Sequence, residues 1–94
     1  MMQAIWNDVV VAESEATVVV EGNHYFPPEA VRWDLLESSR TRTTCPWKGE
    51  AHYWSLAGAG PDGVDSVWAY PEPMEAAAEI SGHAAFGSGF RVMA

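Results

Sequence analysis

No apolar run in this chain exceeds four residues, as in Val9-Val10-Val11-Ala12, and turn-forming residues punctuate the short alternating segments. A transmembrane helix, which needs about 20 predominantly apolar residues in a row, is excluded. The alternation favours a mostly β protein. Residues 3–6 and 9–13 read as two strands around Asn7-Asp8, a two-residue hairpin turn. Residues 17–21 are rich in β-branched side chains and predict a third strand, which Gly22-Asn23 breaks. Residues 40–45 are Thr-rich and extended, and Pro46 implies an edge or a bulge there. Residues 50–57 resume as a strand, with His52, Trp54 and Leu56 on one face and Ala51, Tyr53 and Ser55 on the other. Residues 64–70 predict another strand, and residues 83–86 and 90–93 are placed to pair across Gly87-Ser88-Gly89.

Two stretches instead predict short helices. One starts at Pro27-Pro28-Glu29, where proline costs no hydrogen bond and the carboxylate meets the positive end of the helix dipole. It carries Val31 and Leu35 on an apolar stripe and ends at Ser38-Ser39. The other is the Ala-rich stretch 74–80, ended by Gly82. The expected fold class is mostly β (α+β): a small twisted antiparallel sheet or half-open barrel with two short helices.

At 94 residues the chain predicts a single domain, 1–94, that buries roughly two-thirds of its unfolded surface. A hydrophobic share of 48% excludes intrinsic disorder. Thirteen acidic residues face five basic ones, for a net charge of -8, so nucleic acid is not an expected partner. Four of the five basic residues, Arg32, Arg40, Arg42 and Lys48, fall between positions 32 and 48, opposed there only by Asp34 and Glu37. That cluster reads either as an anion-binding spot or as side chains paired with nearby carboxylates. Cys45 is the only cysteine, so no internal disulfide forms. Residues 1–8 lack a basic start and a long apolar stretch, so no signal peptide is expected; a cytoplasmic location and no membrane association follow as expectations.

Several segments carry a resemblance. They are Ala4-Ile5-Trp6-Asn7, Glu21-Gly22-Asn23-His24-Tyr25-Phe26-Pro27, Thr43-Thr44-Cys45-Pro46-Trp47-Lys48-Gly49, and Tyr70-Pro71-Glu72-Pro73 followed by Ala76-Ala77-Ala78-Glu79-Ile80. On these the chain resembles, over nearly its whole length, the bacterial domain-of-unknown-function family 427, also labelled a nucleotidyltransferase-like domain. The stretch Cys45-Pro46-Trp47-Lys48-Gly49 is the most specific part of the likeness. Asp8 stands where the family usually has glycine, and Gly87 where an aromatic often follows the Ala-Phe pair. The resemblance implies a mostly β fold with two short helices and no established reaction.

Gly58-Ala59-Gly60-Pro61-Asp62-Gly63 matches the dinucleotide pattern G-x-G-x-x-G, but a strand-like segment follows it where a helix N-terminus is needed, so it reads as a hairpin loop. Lys48 is followed by Gly49 and belongs to no phosphate-binding loop, and no Asp-x-Asp pair is present to hold magnesium. Cys45, His24, His52 and His83 lack paired metal-ligand spacing, so neither a metal nor a cofactor is expected. Cys45 is a candidate nucleophile, with Arg42 and Lys48 near in sequence and His24 or His52 as base; the competing reading is a small buried apolar residue. His24 either presents a polar group to an anion or orders its turn. Eleven aromatics supply most of the core and candidate pocket walls.

The leading expectation is a binding pocket for a small planar or anionic molecule. It would draw on Asn23, His24, Tyr25, Arg42, Thr44, Trp47, Lys48 and Tyr70, with Cys45, His24 and Lys48 the candidates for any catalytic role. The alternatives are a nucleotidyltransferase-like or Cys45-dependent enzyme and a protein-interaction module.

Overall fold

The structure is a computed structural model that describes all 94 residues, Met1–Ala94. Asn7 and Asp8 take positive φ angles of 45° and 67°, the twist that joins two strands by a two-residue turn. They close the hairpin of β1 (Met2–Trp6) and β2 (Val9–Ser14). The register slips between Ala4 and Ile5, and the slip lets consecutive residues Val11 and Ala12 both turn inward. A second hairpin joins β3 (Val18–Val20) to β4 (Asn23–Tyr25) through Glu21 and Gly22, again both at positive φ.

The main sheet is antiparallel and four-stranded, in the order β5 (Leu36–Cys45), β6 (Gly49–Leu56), β7 (Val67–Ala69) and β8 (Ala84–Phe86). The last strand, β9 (Arg91–Met93), pairs with β1 on the side away from β2. Single bridges tie the pieces together: Ala12 to Val31, and Phe26 to Ala84.

The fold is mostly β and antiparallel as expected, with three corrections. The strands form three sheets, none closed into a barrel. Both expected helices are 3-10 turns. In the first, Val31 bridges to Ala12 and the Arg32 N–H is donated to the Val11 carbonyl at 2.8 Å. That donor is lost to a helical ladder, and two turns remain, Pro28–Ala30 and Trp33–Leu35. In the second, Glu75–Ile80, a kink at Ala77 interrupts six residues that are too few to sustain an α-helix. Finally, residues 84–86 and 91–93 do not pair with each other; β8 joins β7 and β9 joins β1.

Alternation splits the core in two. One face of the main sheet carries Ala51 and Ala85, buried with Tyr25, Tyr70, Ala77 and Ile80, with Tyr53 and Trp68 packed against them. The other carries Val67, Ala84 and Phe86, buried with Phe26, Phe90, Val11 and Ala4, and Trp54 and Leu56 pack there. The expected facing of residues 50–57 is what the sheet uses.

Candidate functional site

The site begins at the end of β5. Pro46, Trp47 and Lys48 turn the chain into β6, which opens on Gly49 at φ +111°. A Cβ on Gly49 would stand 3.4 Å from the Met74 nitrogen and 3.6 Å from the Glu72 carbonyl oxygen, so glycine lets this turn press against the 72–74 segment. The Met74 N–H locks the contact by donating to the Lys48 carbonyl at 2.9 Å. Tyr70, just upstream of that segment, is thereby set beside Lys48.

The Lys48 side chain is only 8% exposed. Its ammonium lies 5.4 Å from the ring centres of both Trp47 and Tyr70, a cation–π arrangement on two sides. Its one carboxylate partner is Glu21, from the tip of the β3–β4 hairpin. Glu21 remains 53% exposed. Behind them Tyr25 is fully buried, its ring 6.4 Å from that of Tyr70, and its hydroxyl accepts from the Trp68 indole at 3.2 Å.

These contacts set the protonation states. Burial opposes the charge on Lys48, but the Glu21 hydrogen bond and the Tyr25 and Tyr70 phenols outweigh it and hold the pKa above the ordinary lysine value. The hydrogen bond from Lys48 holds the Glu21 carboxyl below its ordinary value. Burial pushes the Tyr70 phenol up, with Lys48 pulling weakly the other way. At neutral pH the centre holds the Lys48 ammonium, the Glu21 carboxylate and the neutral Tyr70 phenol.

Of the residues expected at a site, the structure brings Tyr25, Trp47, Lys48 and Tyr70 together. Asn23 shares the Tyr25 face of β4 and is half-buried. His24 lies between them in sequence, so its side chain projects from the opposite face, where Nδ1 meets the Thr17 hydroxyl at 2.9 Å. Arg42 and Thr44 likewise alternate away from Thr43 and Cys45. Arg42 instead donates to the carbonyls of Ser39 and Thr41 at 3.0 and 2.8 Å. Cys45 is half-buried against the Tyr25–Tyr70 core. His52 sits on the other face of the sheet, bonded to Glu50 at 3.0 Å. Neither candidate base therefore shares a face with the thiol. No three His, Cys, Asp or Glu side chains gather closely enough to share a metal ion. The 58–63 loop leads through a 3-10 turn, Gly60–Gly63, to β7, with no helix behind it.

Glu21 is the residue that sequence reasoning missed. Its signal was slight: a carboxylate followed by glycine at a hairpin tip. Yet the segments beginning at Glu21, Thr43 and Tyr70 all converge on Lys48.

Together, fold and site define a small mostly β domain centred on a buried, paired lysine. No helix in it is long and apolar enough to cross a membrane. The chain belongs to the family described as a domain of unknown function (DUF427), which matches residues 1–93. Among curated proteins none matches it.

Proposed function

We propose that this domain binds a small planar anion at Lys48. One observation carries the reading: a buried ammonium, flanked by two aromatic rings, whose only carboxylate partner sits on an exposed turn. A buried charge needs a partner, and Glu21 meets that need. Because Glu21 is half in solvent already, its release into water costs little. A carboxylate or phosphate entering the same place keeps Lys48 paired while Glu21 swings out. Trp47, 39% exposed, then offers a flat wall to the ligand's ring.

The reading is one of binding rather than covalent chemistry. A lysine held protonated clamps an anion well and attacks a carbonyl poorly. A Cys45-dependent reaction has no comparable arrangement in its favour, because its candidate bases face elsewhere.

Isothermal titration with inorganic phosphate, benzoate and a nucleoside monophosphate tests the proposal. Glu21→Gln removes the competing carboxylate and should tighten anion binding on the order of tenfold, about 1.4 kcal/mol. Lys48→Met should abolish it; the Glu21 carboxylate left behind is exposed enough to be hydrated, so the variant should fold. Trp47→Leu should weaken benzoate and the nucleotide but spare phosphate. Unchanged binding in Lys48→Met, or none to wild type and Glu21→Gln alike, overturns the reading.

A further inference from the structure

A separate cleft lies on the Phe26–Phe86 side of the core. It has a volume of about 500 Å³, within the usual span for small-molecule sites. Its floor is apolar, built from Trp6, Val11, Leu35 and Leu56, and its rim carries Asp34 and Asp62. No lysine, arginine or histidine lines it. Asp34 pairs with Arg32 at 3.1 Å, but both side chains are more than half exposed, and such pairs exchange readily. Asp62 makes no ion pair.

The walls are held in place before any ligand arrives. The Ala57 N–H donates to the Leu35 carbonyl at 3.0 Å, tying the 57–59 loop to the Trp33–Leu35 turn. Trp6 is fixed from behind: a Cβ on Gly89 would fall 2.3 Å from its ring, and Phe90 packs edge-on at 5.0 Å. A fixed indole in an apolar trough costs a ligand little reorganisation.

From this geometry we infer a second site, for a small organic cation with an apolar ring or chain. The apolar floor takes the body of the ligand, the indole face and the two rim carboxylates take its ammonium, and the net charge of -8 adds a favourable field. An anion of the same shape meets two carboxylates and no cation from the lining. The Lys48 centre plays no part, so this inference stands or falls independently of the anion reading.

The test is a titration of the full chain, followed by backbone amide shifts, with 2-phenylethylamine, 2-phenylethanol and 3-phenylpropionate. The amine should shift the amides of the Trp6–Val9 turn and the 57–59 loop, and should bind at least about tenfold tighter than the alcohol. Phenylpropionate should leave those amides unmoved. Asp62→Asn, an exposed change that spares the fold, should cost the amine about fivefold, the weight of one solvent-screened charge at contact. Adding Asp34→Asn should erase its advantage over the alcohol. Equal binding of amine and alcohol, or amine-induced shifts confined to the Lys48 turn, overturns the inference.

Discussion

At the scale of single residues, the pair Glu21–Lys48 governs how stability responds to pH. The folded Glu21 pKa is lowered from 4.5 chiefly by the hydrogen bond from Lys48, so its contribution is present above that value and fades as pH falls through the folded one. The folded Lys48 pKa is raised from 10.5, so its contribution is present below that value and fades as pH rises through the folded one. Wild type should therefore exceed Glu21→Gln in stability at neutral pH. Denaturant unfolding at a series of pH values should show the gap closing below pH 4.5; a gap that persists at acid pH would assign Glu21 a role other than this charge pairing. The site was half legible beforehand. Trp47, Lys48 and Tyr70 stood out because a Pro-flanked turn concentrates aromatics beside a cation. His24, Arg42 and Thr44 fall outside because strand parity sends neighbours in opposite directions, and the break expected at Gly22-Asn23 hides that parity for His24. Glu21 was invisible as a partner, since nothing local to it announces a lysine 27 positions away.

At the scale of elements, strands were more readable than helices. The Asn7-Asp8 hairpin and the two faces of β6 follow from turn chemistry and alternation alone. The segment from Pro28 to Leu35 has helical composition, but the edge of β2 captures the Val31–Arg32 backbone, and a tertiary hydrogen bond outweighs a propensity worth a few tenths of a kcal/mol per residue. The pairing of β9 with β1 closes the chain's ends on each other, a long-range choice that the short Gly87-Ser88-Gly89 turn does not reveal. Attachment of β4 to the main sheet is similarly long-range: two backbone hydrogen bonds join Phe26, the residue after β4, to Ala84 of β8 at 2.8 and 2.9 Å, and one side-chain contact adds to them, the Trp68 indole donating to the Tyr25 hydroxyl. Tyr25→Phe leaves that half-buried donor without its acceptor and removes a phenol beside Lys48. The expected loss is about 1 kcal/mol, read as a fall in the denaturation midpoint at constant slope. An unchanged midpoint would mean that water replaces the phenol at no cost.

At the scale of the whole molecule, two small cores share one sheet. Neither is large enough to stand alone in a chain of 94 residues, and β7 and β8 contribute alternate residues to both: Trp68 and Ala85 to one, Val67, Ala84 and Phe86 to the other. Loss of either core therefore withdraws support from strands the other needs, and unfolding should be a single cooperative event. Ile80, fully buried under the Tyr25–Tyr70 cluster, tests this coupling. Ile80→Ala should cost about 2–4 kcal/mol, the range for a truncated buried aliphatic side chain. In a domain of this size that is a fall in Tm of more than about 10 °C. The indole N–H resonances of Trp54, packed on the opposite face, and of Trp68, packed beside Ile80, should disappear together in each protein, at a lower temperature in the variant than in wild type. If Trp54 outlasts Trp68, the Phe26–Phe86 side is an independent unit and the shared sheet does not couple the two cores.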